Sequence, residues 1–166
     1  MRRIWHDTYA TCMVFLMAVA AHSNALHSLE THSVAPRLEF DSREDVLVVT
    51  WNGSLEAHHI LSLMRRVDAH VDAVAGVGRR TAIVIDASRA AVPTPLIQAM
   101  LVDWMLESSP KRRRTNVCTY VVASSPLIRG VVSAIRWRTG RGGNLEHAAD
   151  LSEAIEHASL RVAVGG

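Results

Sequence analysis

The sequence predicts one α/β domain, a mixed sheet of about five strands opened by an antiparallel hairpin and covered by about four helices. Three observations predict it. After Pro36, short β-branched apolar runs alternate with longer stretches whose apolar residues recur every three to four positions. The 166 residues are enough for one domain and short for two. Hydrophobic residues make up 49% of the chain and charged ones 20%, which supplies a core and sets the chain apart from disordered compositions.

The first 36 residues stand apart as an N-terminal extension, and the domain is expected over 37–162. Arg2 and Arg3 precede an apolar run from Cys12 to Ala21, with small residues at Ala18 and Ala20. That pattern fits a short signal peptide. Ten apolar residues are too few to span a bilayer as a helix. Asp7 and His6 interrupt the basic start, and Met13 and Met17 offer later start codons. His22, His27 and His32 recur every five residues, which spreads them around a helix and suits a flexible linker better.

"RLEFDSREDVLVVTWNGS" reads as a hairpin: Leu38 and Phe40 alternate with polar neighbours, and "SRED" is the turn. Ile60, Met64, Val67, Val71 and Val74 then line one helical face, widened by Leu63. Ser54 is the expected N-cap, and Gly76 and Gly78 stop the helix. "TAIVIDAS" is a buried strand. "TPLIQAMLVDWMLESS" is a helix with Ile97, Met100, Leu101 and Trp104 on one face, and "KRRR" (111–114) is a loop. "TNVCTYVVAS" is the next strand. "SPLIRGVVSAIRWRTG" is a helix with Ile128, Val131, Val132 and Ile135 inward. "GGNLEHAA" is the last strand, and Asp150 with Glu153 forms a capping box for "DLSEAIEHASL".

"TPLIQAM" and "SPLIRGV" are near copies, each at a strand-to-helix junction. Thr94 and Ser125 stand at N-cap positions, and Pro95 and Pro126 at N1, where a missing N–H costs nothing. The plain reading is two helix starts built the same way. The same junctions also lie where ligands of open α/β sheets bind, and a phosphate on Thr94 would change that surface.

The order β-β-α-β-α-β-α-β-α, the strand "TAIVIDAS", the unit "VCTYVVASSPLIRGVVSAI" and the ending "NLEHAADLSEAIEHA" resemble the STAS-like domains. The likeness is to the SpoIIAA-like group, related to sporulation anti-sigma-factor antagonists. It covers residues 37 to about 160. The resemblance implies a STAS/SpoIIAA-like fold and a regulatory, protein-binding role. It places the Asp that ends the third strand at Asp86. The family's phosphorylatable Ser in an Asp-Ser-Ser-Gly-like motif is missing. Pro95 falls about where it would be, Thr94 beside it, and Ser88 is a weaker substitute.

Net charge is +2, with 17 Arg and one Lys, which selects no nucleic-acid or membrane partner. Lys111, Arg112, Arg113, Arg114, Arg129, Arg136, Arg138 and Arg141 nevertheless form a stretch without an acid. Such a face suits an acidic protein or lipid headgroups. Trp137 is the lone aromatic of that helix, and no nucleic-acid-binding signature is present. Cys12 and Cys118 make neither a disulfide framework nor a metal site, and Cys118 reads as a buried small hydrophobe. His59 and His70 share a helix face but are about 16 Å apart. His58 adds no metal pattern. "WNGSLEA" is no nucleophile elbow, "GRGG" (140–143) no phosphate loop, and Asp86 alone is no catalytic set.

These readings converge on a non-catalytic, intracellular adaptor or regulator that binds another protein, with no cofactor, no metal and no catalytic residue. Export is the alternative if residues 1–25 are cleaved. The candidate interaction or regulatory residues are Asp86, Ser88, Thr94, Lys111, Arg112, Arg113, Arg114 and Arg129. A homodimer is compatible with them. The second reading is a domain for lipid or a small apolar ligand, with Met100, Trp104, Met105 and Trp137 lining a groove.

Overall fold

The computed structural model describes residues 37–43, 45–112, 114–139 and 144–164, and the backbone alone at 109–111. Readings made on residues 1–36, on Arg113 and on 140–143, including Arg141, lie outside the described residues. The elements are β1 (Arg37–Arg43), β2 (Val46–Gly53), α1 (Ala57–Gly76), β3 (Thr81–Ala90) and α2 (Pro95–Arg112). They continue with β4 (Asn116–Val122), α3 (Pro126–Thr139), β5 (Leu145–Ala148) and α4 (Leu151–Val164). The five strands lie in the order β1-β2-β3-β4-β5. β1 and β2 are antiparallel, and every later pair is parallel. This is the predicted mixed sheet with four helices.

Sheet order follows chain order, so each crossover steps the same way. Crossovers of one hand then put their helices on one face, and α1, α2 and α3 share that face. Alternation along the strands divides the core accordingly. Leu47, Val49, Trp51 and Ile83 meet Ile60, Leu63, Val67 and Val71 of α1 and Ile97 of α2. Val121 and Leu145 meet Ile128, Val131, Val132 and Ile135 of α3. Val46, Val48, Ala82, Val84, Cys118 and Tyr120 point the other way and are covered by α4. Ala154 and Ala158 of α4 are fully buried there. Their small side chains let that helix lie close on the sheet.

Three local expectations are corrected. Ser54 is not the N-cap of α1: the cap position is Glu56, and its backbone N–H donates to His59 Nδ1 at 3.2 Å. His59 thus plays the part usually given to Glu or Gln at the third helical position. Asp86 does not end β3. Beyond an irregularity near Thr50–Asn52, the pairs Asn52↔Arg89 and Gly53↔Ala90 carry the ladder four residues further. "KRRR" is not wholly a loop, because α2 runs on through Arg112. The end of α1 is as expected. Gly78 takes φ +71°, which lets Arg79 N–H reach Val74 O at 3.1 Å.

Candidate functional site

The neighbouring parallel strands β3 and β4 run the same way, β3 four residues further, and each feeds a helix. The two junctions therefore lie at one end of the domain. A hydrogen bond ties them: Ser124 Oγ donates to Ser88 O at 2.6 Å. Asp86 Oδ1 accepts the Ser88 N–H at 3.0 Å, which holds the turn in the β3 backbone. Thr94 Oγ1 accepts from Ile97 N–H at 3.4 Å, and Thr94 O accepts from Gln98 N–H at 2.9 Å. The Gln98 side-chain amide donates to Pro93 O at 2.8 Å. Thr94 is thus the N-cap its position predicts, with Pro95 as the first helical residue. Ser125 stands at the same place before α3, where its carbonyl accepts from Arg129 N–H at 3.1 Å. The Arg129 guanidinium folds back, and Nη1 donates to Ala123 O at 3.0 Å and Ser124 O at 2.9 Å.

Three large apolar side chains are exposed on these junctions: Val92, Leu96 and Leu127. Leu96, in the first turn of α2, is 64% exposed. The paired motifs explain the pattern. In "Thr-Pro-Leu-Ile" and "Ser-Pro-Leu-Ile" the Ile is buried, at Ile97 and Ile128, while the Leu one position earlier faces solvent. The inward faces expected from the sequence hold Ile97 and Ile128 and leave out Leu96 and Leu127. A helix turns 100° per residue, so only one of the two can face the sheet squarely.

The basic candidates do not join this end. α2 carries the chain from the end of β3 to the start of β4, so Lys111, Arg112 and Arg114 lie at the opposite end of the sheet. The Lys111 side chain and Arg113 are outside the described part. Arg114 is exposed in the turn before β4. Arg112 is drawn inward. Its side chain is 12% exposed, Nη2 donates to Asp68 Oδ1 at 2.8 Å, and its plane lies 3.8 Å from the Trp104 ring centre. Trp104 Nε1–H donates to Asp68 Oδ2 at 3.0 Å. Asp68 thus bridges α1 to two residues of α2, and no pattern in the sequence pairs it with residues 36 and 44 positions away. Burial lowers the Arg112 pKa, opposed by Asp68. Arg136 and Arg138 are exposed on α3.

Thr94 accepts from backbone N–H groups, while the Ser88 backbone N–H and C=O are held by the side chains of Asp86 and Ser124. Asp86 is engaged by one of those groups. This arrangement fixes two loops and caps a helix. His147, on β5, has its pKa lowered by burial first, then by Arg129 and Arg136. Those two arginines therefore act on one point, as their spacing of two helical turns implies.

Under α2 the sheet leaves a partly open cavity of about 80 Å³. Trp104 and Met105 are on its wall. Met100 packs instead towards the α1 side of the core, and Trp137 is 71% exposed on α3.

No family model and no curated protein matches the chain. Among solved structures it is similar to an uncharacterized protein of the DUF3478 family with a SpoIIAA-like fold from Shewanella loihica PV-4. Identity is 12%, the TM-score is 0.54, and the match covers 79% of this chain and 99% of that one. It is also similar to an anti-sigma factor antagonist from Mycobacterium paratuberculosis, at 18% identity and TM-score 0.52, again over 79% and 99%. The sheet order, the single antiparallel pair and these two likenesses agree: the chain has the STAS-like, SpoIIAA-like fold.

Proposed function

We propose that this is a non-catalytic protein-interaction domain, working inside the cell as a regulator or adaptor. One observation carries the reading: Val92, Leu96 and Leu127 are exposed together on two junctions that hydrogen bonds hold in place. Exposed apolar side chains on a fixed loop scaffold suit a protein partner. Asp86, Ser88 and Arg129 serve that surface as its internal ties, and Thr94 as its helix cap. The similarity to an anti-sigma factor antagonist supports a protein as the partner.

Leu96→Asp tests this reading. An acid in the first turn of a helix is favoured by the helix dipole, so the variant keeps its fold. Tagged wild-type protein, expressed in its own host, should retain a stoichiometric protein partner, and the variant should lose it with an unchanged circular dichroism spectrum. No partner on the wild type, or equal retention by the variant, would overturn the proposal.

The second reading, a site for lipid or a small apolar molecule, has one observation in its favour: the cavity under α2.

A further inference from the structure

The helix α3 carries arginines and no acid: none of its residues from Pro126 to Thr139 is Asp or Glu. Arg129, Ser133 and Arg136 stand at positions i, i+4 and i+7, so they share one flank of the helix. That flank overlooks β5, the edge strand, where Ser133 Oγ lies 3.4 Å from His147 Nε2. Arg129 and Arg136 both lower the His147 pKa, which places two positive charges near one ring. All four residues are exposed, and no strand lies beyond β5 among the described residues. The flank is open to an incoming molecule.

The acids near His147 in the chain are engaged elsewhere. Glu146 alternates to the other face of the sheet, where Arg161 Nη2 donates to it at 3.1 Å. Asp150 and Glu153 close the cap of α4: Asp150 Oδ1 accepts from Glu153 N–H at 2.9 Å, and Glu153 Oε2 from Ala149 N–H at 2.7 Å. Among the described residues neither Arg129 nor Arg136 enters an ion pair. The donors on the flank are placed but not exhausted. Arg129 Nη1 is fixed by Ala123 O and Ser124 O, which leaves Nε–H and Nη2 to meet a ligand. At 3.4 Å the Ser133–His147 contact is long for a hydrogen bond, so the hydroxyl can turn to a better acceptor.

We propose that Arg129, Ser133 and Arg136, beside His147, form a binding site for a phosphate monoester, carried by a small soluble molecule or by a lipid headgroup. The charges select the class. Two guanidinium groups unanswered by any carboxylate match a group that carries close to two negative charges at neutral pH. Three terminal oxygens suit two guanidinium forks and one hydroxyl. A carboxylate has one charge and two oxygens, and would leave one arginine unanswered.

The test uses the full chain at pH 7.5 and constant ionic strength, titrated with glycerol 3-phosphate and with acetate. The Cε1–H resonance of His147, assigned by its loss in His147→Gln, reports binding. Vesicles of phosphatidylcholine, with and without phosphatidic acid, are sedimented with the protein in parallel. Glycerol 3-phosphate should shift His147 saturably, and acetate should bind about tenfold more weakly. Arg136→Gln, at an exposed position, keeps the fold and should weaken binding about tenfold. Arg138 lies about 200° around the helix from Arg136. Arg138→Gln removes the same charge from the opposite flank and should leave affinity within about twofold. Sedimentation that requires phosphatidic acid and is lost in Arg136→Gln would assign the phosphate to a lipid. A saturable shift without sedimentation would assign it to a soluble molecule. The proposal falls if neither ester nor vesicle binds, if acetate binds as tightly, or if Arg138→Gln costs as much as Arg136→Gln.

Discussion

Cys118 shows how burial decides the chemistry of a residue. Its side chain is inaccessible between the sheet and α4, and burial pushes its thiol pKa up to about 11, opposed by Arg161. The nucleophile in alkylation is the thiolate. At pH 8 that form is both scarce and covered. Iodoacetamide should therefore leave Cys118 unmodified in the native protein and modify it fully in 6 M guanidinium. Peptide mass mapping separates this site from Cys12. Native labelling of Cys118 within minutes would contradict the packing of α4 on β4. Cysteine reads as a buried small hydrophobe from its place in "TNVCTYVV" alone, because a central strand covered on both faces is apolar throughout. Thr94 was equally legible, since Thr-Pro before an apolar stripe encodes a cap and a first turn locally. Asp68 was not. Its role depends on a helix packed beside its own, and only the fold brings Trp104 and Arg112 to it.

At the scale of elements, that same carboxylate joins α1 to α2. Both helices also bury apolar stripes, so the tie is an addition to packing rather than its substitute. Asp68→Ala leaves a guanidinium with 12% exposure and a half-buried indole N–H without their acceptor. Asp68 itself is 38% exposed, and water screens part of the pair. Unpairing these donors should cost about 2 kcal/mol. Urea unfolding should show the loss as a lower midpoint at unchanged slope. Asp68→Asn, which keeps one acceptor, should recover part of it. A change below about 0.5 kcal/mol, ordinary for a surface site, would mean the tie is not formed in solution. Helix and strand positions were legible because their apolar periods are long and regular. Ends were less so. The start of α1 depends on a histidine closing the cap, and the end of β3 depends on how far β2 continues beside it. Arg112, the last residue of α2, meets Asp68 in a tertiary contact that the sequence does not announce.

For the molecule as a whole, the two histidines that join separate layers predict how stability follows pH. His70 of α1 bonds Thr81 Oγ1 at 2.9 Å, and Thr81 in turn donates to Asp45 O at 2.7 Å. With its hydroxyl proton so placed, Thr81 accepts from His70 Nε2–H, which a neutral imidazole supplies. Burial lowers the His70 pKa below the ordinary 6.5, with Asp45 opposing. His147 of β5, whose Nε2 lies 3.4 Å from Ser133 Oγ of α3, is lowered by partial burial and by Arg129 and Arg136. Both groups bind protons less readily folded than unfolded. Their contribution to stability is full above the unfolded pKa of 6.5 and is lost as pH falls through the folded values. The urea midpoint should therefore hold at pH 7.5 and drop between pH 6.5 and 5. The double variant His70→Gln, His147→Gln keeps polar side chains at both places and should flatten that drop. A midpoint that rises on acidification, or a drop of equal size in the double variant, would place the proton uptake elsewhere. The two sites lie apart in the sheet, one by the middle strand β3 and one on the edge strand β5. Their losses should add, because residues this far apart with no shared partner act independently.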